Sequence, residues 1–178
     1  VNGTIFALTG ASRKHVSIAV NIVASLRNSL KGSGCDVFVS DMKVHAVAAN
    51  SFYYPDVVVE CKNAEKHELY SDAPSVIFEV LSKSTATTDR REKLVAYQMI
   101  DSLQNYVIVH QSRRRIEHHQ RVGEDWQMQE IRSGELFFKC GSDAKPTIRL
   151  TLDEIYEGVQ VDDAPDLQVH EDVEVYAW

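Results

Sequence analysis

The sequence predicts an α/β (α+β) domain built on one central mixed sheet with flanking helices. Three observations carry that expectation. Apolar runs of strand length recur along the chain, at Asp36-Val37-Phe38-Val39-Ser40, Val57-Val58-Val59, Val76-Ile77-Phe78-Glu79-Val80-Leu81 and Asn105-Tyr106-Val107-Ile108-Val109. Two segments with helical apolar spacing interrupt them, giving the order helix, strands, helix, strands. The length of 178 residues suits a single domain with a core large enough to fold unaided.

Taken in order, Ile5 to Leu8 is a short strand candidate leading into Gly10-Ala11-Ser12. Ser12 can cap a helix whose apolar residues are Val16, Ala19, Val20, Val23, Leu26 and Leu30, and Gly32-Ser33-Gly34 ends it. Cys35 to Val44 reads as a strand, and Ala46 to Phe52 as the turn into the next, which runs from Pro55-Asp56 to near Lys62. Asn63 to Ala73 is polar and reads as a surface loop. Pro74 opens the strand that carries Glu79, Thr85 to Thr88 is a polar link, and Asp89 opens a second helix with Leu94, Tyr97 and Ile100. After the Asn105 strand, Arg115 to Val122, Trp126 to Ile131 and Leu136 to Phe138 suggest an antiparallel meander. Leu152 to Tyr156 suggests one short helix.

Composition narrows the function classes. No apolar run approaches the roughly 18 residues of a membrane span. There is no secretory pattern, and with Val1 in place of an initiator Met a preceding segment is expected. Cys35, Cys61 and Cys140 are odd in number and form no CxxC, which predicts reduced packing thiols in a cytoplasmic protein. The net charge of −7 argues against a general nucleic-acid binder with a broad basic face. It leaves room for a nuclease, because six acids fall after Gln160 with no Lys or Arg, so the body alone is close to neutral. The expected division is residues 1–159 as the domain and 160–178 as an acidic extension.

Two carboxylates stand where apolar residues would be cheaper. Tyr54-Pro55 reads as extended backbone, so Asp56 opens its strand. Glu79 lies inside the next apolar strand, and a buried charge requires a partner. Carboxylates from adjacent strands suit a hard divalent cation, and metal-activated water is a common route to phosphodiester hydrolysis. A solvated strand end for Asp56, and a solvent face or salt bridge for Glu79, are the competing readings. Asp89 and Lys93 share a helical face near Thr85 and Thr88, and Lys93 can point back to Glu79 to stabilise developing charge. Tyr97, one turn on, is a phosphate-binding candidate or a core residue. His15 reads as a capping or packing residue, because its spacing fits no metal motif. Arg113-Arg114-Arg115, His118-His119 and Arg121 are the strongly basic stretch. It reads as a solvated hairpin, or as a track for phosphates in which Arg113 and Arg115 make the contacts.

These residues carry a family resemblance. Gly3 to Ser12 with His15 and Asn21, then Cys35-Asp36-Val37-Phe38-Val39-Ser40-Asp41-Met42-Lys43-Val44, lead to Tyr54-Pro55-Asp56-Val57-Val58-Val59. Phe78-Glu79-Val80-Leu81-Ser82-Lys83-Ser84-Thr85, Asp89, Lys93 and Tyr97 complete the set. Over roughly Val1 to Val159 the chain resembles a bacterial family, expanded in cyanobacteria, labelled putative restriction endonuclease, within the PD-(D/E)XK nuclease superfamily. The resemblance implies a restriction-endonuclease-like core and a Mg²⁺ or Mn²⁺ site made by Asp56, Glu79 and the backbone carbonyl of Val80. It implies DNA as substrate and a homodimer as assembly. The chain departs from the superfamily pattern where Leu81 stands in place of Lys, so the resemblance shifts the Lys role to Lys93, with Lys83 as fallback. A catalytically inactive binding or dimerisation module, and a transposon-associated or regulatory partner, are the alternatives.

Overall fold

The computed structural model describes residues 11–61, 67–81, 89–140 and 147–161, without the side chains of 89 and 90. The expected strand at Ile5 to Leu8, the Thr85 to Thr88 link, Lys83 and most of the acidic extension lie outside the described residues. Helix α1 (Arg13–Ser29) begins where the Ser12 side chain accepts the His15 N–H. Strands β1 (Asp36–Val39), β2 (Lys43–Ala46), β3 (Ser51–Tyr53), β4 (Val57–Glu60), β5 (Tyr70–Ser71) and β6 (Val76–Leu81) follow. A turn of π-helix, Asp89–Lys93, runs straight into α2 (Leu94–Gln98). Then come β7 (Asn105–His110), β8 (Ile116–Val122), β9 (Asp125–Ile131), β10 (Glu135–Lys139), β11 (Thr147–Thr151) and α3 (Leu152–Ile155).

The central sheet is mixed, as expected, with strand order β1-β4-β6-β7-β8-β9. Its β6·β7 pair is parallel and the other pairs are antiparallel. Strand alternation gives the sheet two apolar faces. Val57, Val59, Val76, Phe78, Val80, Val107 and Val109 face α1, the β10·β11 pair and α3. Val58, Ile77, Leu81, Tyr106 and Ile108 face α2 and the small β3-β2-β5 sheet. The domain is therefore layered around a sheet buried on both sides, which is why β6 and β7 read as continuous apolar runs.

Several expectations need correction. The buried stripe of α1 is Ile18, Ile22 and Leu26, whereas Val16 and Val20 are exposed. The two Val residues belong to a neighbouring stripe of the same helix, and apolar identity alone cannot separate the two. The run from Cys35 to Val44 is two strands, broken at Ser40, whose φ is 35°. The loop expected over Asn63 to Ala73 contributes β5, paired in parallel with β2. The expected meander stops at β9, because β10 leaves the central sheet and pairs with β11.

The thiol expectation also fails at two of its three positions. Cys35 and Cys61 form a disulfide with Cα atoms 4.1 Å apart. They lie one rung beyond the Asp36↔Glu60 pair, so the antiparallel β1·β4 ladder brings together residues far apart in sequence. Cys140 is buried and free, and burial pushes its thiol up to about 12, so it packs as a neutral side chain. Among the described residues no helix is long and apolar enough to cross a membrane.

Candidate active site

The register of the sheet places the two carboxylates together. Val57 of β4 pairs with Phe78 of β6, and continuing that antiparallel register sets Asp56 beside Glu79. Asp56 Oδ2 accepts the Val80 N–H at 2.7 Å, so its side chain lies back over the strand end. Glu79 alternates with Ile77 and Leu81 on the α2 face and is only 3% exposed. Its Oε1 accepts from Lys93 Nζ at 2.8 Å and from the Tyr97 hydroxyl at 3.2 Å. Lys93 and Tyr97 are four residues apart on continuous helical backbone, so both reach the same oxygen from one side. Tyr97 is itself held edge-on between Tyr53 and Tyr106, at ring distances of 5.4 and 5.2 Å. A carboxylate this deep needs compensating charge and donors, and the Lys–Tyr pair supplies them.

The opposite layer supplies a residue that the sequence did not assign to the site. His15 Nε2 lies 2.8 Å from Asp56 Oδ1. Its place is fixed by the first turn of α1, where Ser12 accepts its backbone N–H and donates to Gln111 Oε1 just beyond β7. His15 Nδ1 is buried with no hydrogen-bond partner among the described residues. Capping explained the turn but not the ring, and the partner is 41 residues away on another layer. The available signal was a His in the first turn of a helix among the family-matching residues.

Asp56, Glu79, Lys93, Tyr97 and Val80 therefore converge, with Val80 present through its N–H. Leu81, two residues after Glu79, is 6% exposed and packs in the α2 layer. Tyr97 is fully buried and serves Glu79 directly. The basic stretch is largely spent inside the fold. Arg115 pairs with Glu130 at 2.6 Å and Glu117 at 3.5 Å, and Glu117 also meets His110 at 2.9 Å. Arg114 pairs with Asp153. Arg121 donates to the carbonyls of Gln98, Ile100 and Leu103, closing the end of α2, and lies 4.7 Å from the Trp126 ring. His118 is buried against Asn105 at 2.9 Å, and desolvation lowers it to about 4. Arg113 is half-buried in the β7–β8 turn. Asn21 donates to the carbonyls of Ile155 and Glu157, docking α3 onto α1.

Among the described residues no three His, Cys, Asp or Glu side chains converge as a ready metal cage. Asp56 and Glu79 nevertheless carry oxygen donors of the kind a hard divalent cation prefers.

The model of the Uma2 family, described as “Putative restriction endonuclease”, matches residues 1–152. Two uncharacterized proteins of Synechocystis are similar. The protein sll1609 is 34% identical over 135 residues, spanning 74% of this chain and 76% of its own length. The protein slr1290 is 32% identical over 127 residues, spanning 70% of this chain and 67% of its own. The fold matches that of a protein from Anabaena variabilis described as a putative nuclease belonging to DUF820. The TM-score is 0.68 at 13% identity, with 90% of this chain and 89% of that one covered. At that identity the likeness is one of fold.

Proposed function

The chain belongs to the Uma2 family, and from that membership and the Asp56–Glu79–Lys93 arrangement we propose a divalent-metal-dependent endonuclease that hydrolyses DNA phosphodiester bonds. The observation that carries this reading is a carboxylate at the start of β4 and another inside β6, with a Lys 2.8 Å from the second. Asp56, Glu79 and the backbone at Val80 would hold Mg²⁺ or Mn²⁺. Such an ion supplies an activated water and neutralises phosphate charge. The chain's own groups do the rest. The Val80 N–H fixes the Asp56 carboxylate, and the Tyr97 hydroxyl fixes that of Glu79. Lys93 sets an ammonium at the place where charge develops on the phosphoryl oxygens, the arrangement that lowers such barriers most. A homodimer is the assembly we associate with this reading, and sedimentation of the purified chain tests it.

One observation favours a second reading, a nuclease-fold binding module without cleavage. Each carboxylate is already satisfied by this chain's donors, Asp56 by His15 and Val80, Glu79 by Lys93 and Tyr97. Calorimetric titration of Mn²⁺ into wild type and Glu79→Gln, without DNA, separates the two when followed by nicking of supercoiled plasmid. Binding and nicking lost together in Glu79→Gln support the nuclease. Wild type that binds plasmid in a filter assay but takes up no ion and makes no nick is the module.

A further inference from the structure

We propose that the outer face of the small β3-β2-β5 sheet is a stacking platform for unpaired nucleobases, which makes DNA with a single-stranded segment the ligand. The choice of DNA rests on the reading above, whereas the platform itself needs no ion. The register puts the rings on one face. His45 of β2 pairs with Phe52 of β3, and Lys43 of β2 pairs with Tyr70 of β5, so these four side chains share one side of the sheet. Val44, Ala46 and Tyr53 alternate with them and are buried in the α2 layer.

The rings form one continuous series. Phe52 and His45 stack at 4.2 Å with 7° between their planes, and Tyr70 meets both edge-on at 5.5 Å. His67 stacks on Tyr70 at 3.7 Å. Phe52 nevertheless keeps 45% of its surface exposed, so the array leaves aromatic area in water that a base could cover. Lys43 Nζ stands 6.0 Å from the Phe52 centroid, which sets a cation where the phosphate of a stacked nucleotide needs one. The Asp72 carboxylate beside the rings is engaged by His45 Nδ1 at 3.0 Å.

Two further observations favour bases over the phosphates of a duplex. Arg114, Arg115 and Arg121 are spent inside the fold and the body of the chain is close to neutral, so phosphate contacts alone supply little affinity. The platform is also continuous with the candidate site. The reverse side of β3 packs Tyr53 on Tyr97, the partner of Glu79. Phe52, Tyr54 and Asp56 alternate along the chain, Tyr54 is 48% exposed, and four residues span at most about 14 Å. That is the length of about four nucleotides at about 3.4 Å each. A strand seated on Phe52 therefore reaches Asp56 within a few nucleotides.

Fluorescence anisotropy of a labelled twelve-nucleotide oligo(dT) with the whole chain, in EDTA, tests this. Wild type should bind it more tightly than the matching duplex and more tightly than an abasic strand with the same phosphates. Loss of a stacking ring costs about 5- to 150-fold in affinity, so Phe52→Ala and Phe52→Leu should each weaken binding at least about fivefold. Phe52→Trp should keep the affinity, and the emission it adds should be quenched on binding. Leu retains the apolar bulk, so wild-type binding by Phe52→Leu would leave the ring a packing role only and overturn the platform. Absent binding, or equal binding of the duplex or the abasic strand, overturns it with wild type alone, so a misfolded variant does not spare the proposal. Tighter binding of oligo(rU) overturns DNA as the ligand. Oligo(dT) held through Phe52 without cleavage in Mn²⁺ keeps the platform and removes the nuclease reading. Plasmid nicking in Mn²⁺ by a chain that binds abasic and base-bearing strands alike does the reverse.

Discussion

The Lys93–Glu79 pair allows a quantitative test of how the site is held. Nζ and Oε1 are 2.8 Å apart, with the two side chains 14% and 4% exposed. At an effective dielectric of about 20 their gross attraction is about 6 kcal/mol. Desolvation of two charges offsets most of it, so the pair as a whole contributes little, while removal of one member costs about 3–5 kcal/mol. Lys93→Met keeps the stem but takes away the ammonium beside Oε1, and the expected loss is about 3 kcal/mol, the low end, because Tyr97 still donates. Glu79→Gln keeps a carbonyl acceptor for both donors, so about 2 kcal/mol is expected. The double variant, amide beside thioether, should lie within about 2 kcal/mol of wild type, which makes the coupling about 3 kcal/mol. In a chain of this size each kcal/mol moves Tm by about 2–4 °C, so Lys93→Met alone should melt about 6–12 °C lower. Urea unfolding followed by far-UV circular dichroism, without divalent ions, measures all four corners. A double variant that loses the sum of the two single losses would refute the reasoning, since the pair would then not be interacting.

Three further outcomes follow from the geometry. Burial holds His118 neutral down to about 4 against an ordinary 6.5. Because that folded value is depressed, the unfolded chain takes the proton first. Stability is full above the ordinary value and falls as pH drops toward 4, by up to about 3 kcal/mol from this residue. His118→Gln should flatten that decline, and an unchanged pH profile of Tm would argue against it. Arg121→Ala removes three carbonyl contacts and the Trp126 stacking. It should cost about 2–4 kcal/mol while leaving the salt dependence of DNA binding as in wild type; a shallower slope would put Arg121 on the phosphates instead. Reducing Cys35–Cys61, 26 residues apart in sequence, should cost about 3.5 kcal/mol by the loop-entropy estimate. Unreduced protein unfolded in guanidinium should show one reactive thiol, and three would show the bridge is not formed.

What could be read from the sequence, and what could not, follows from the range of the interactions. Strand identity was legible because β4, β6 and β7 are buried on both faces and carry uninterrupted apolar runs. Glu79 stood out for the same reason, as a charge inside such a run. Lys93 was legible from its place on the helix after the Glu79 strand, and for Tyr97 the core alternative matches its burial, while its hydroxyl donates to Glu79. The Cys35–Cys61 bridge and the His15–Asp56 contact were not legible, since both depend on register or packing between elements far apart in sequence. The Arg residues after His110 left two readings open for a related reason. A basic run looks alike whether it meets phosphate or, as with Arg115 and Arg121, carboxylates and carbonyls of its own fold.

The cation beside Glu79 comes from a helix while the strand position two residues on stays apolar, and this has a physical logic. A residue two positions after Glu79 points to the same face, and here that face is the α2 layer, where Leu81 packs with Ile77 and Tyr97. What the carboxylate requires is a cation at its oxygen, and the helical backbone through Lys93 delivers one from the layer above while leaving the strand position apolar. The same separation of duties governs Asp56, which is tied by His15 from the layer on the opposite face. The sheet therefore sets the distance between the two carboxylates, and each helix layer sets the charge and orientation of one. A repacking of α1 around Ile22 should disturb Asp56 while leaving Glu79 in place, and a repacking of α2 around Ala96 should do the reverse.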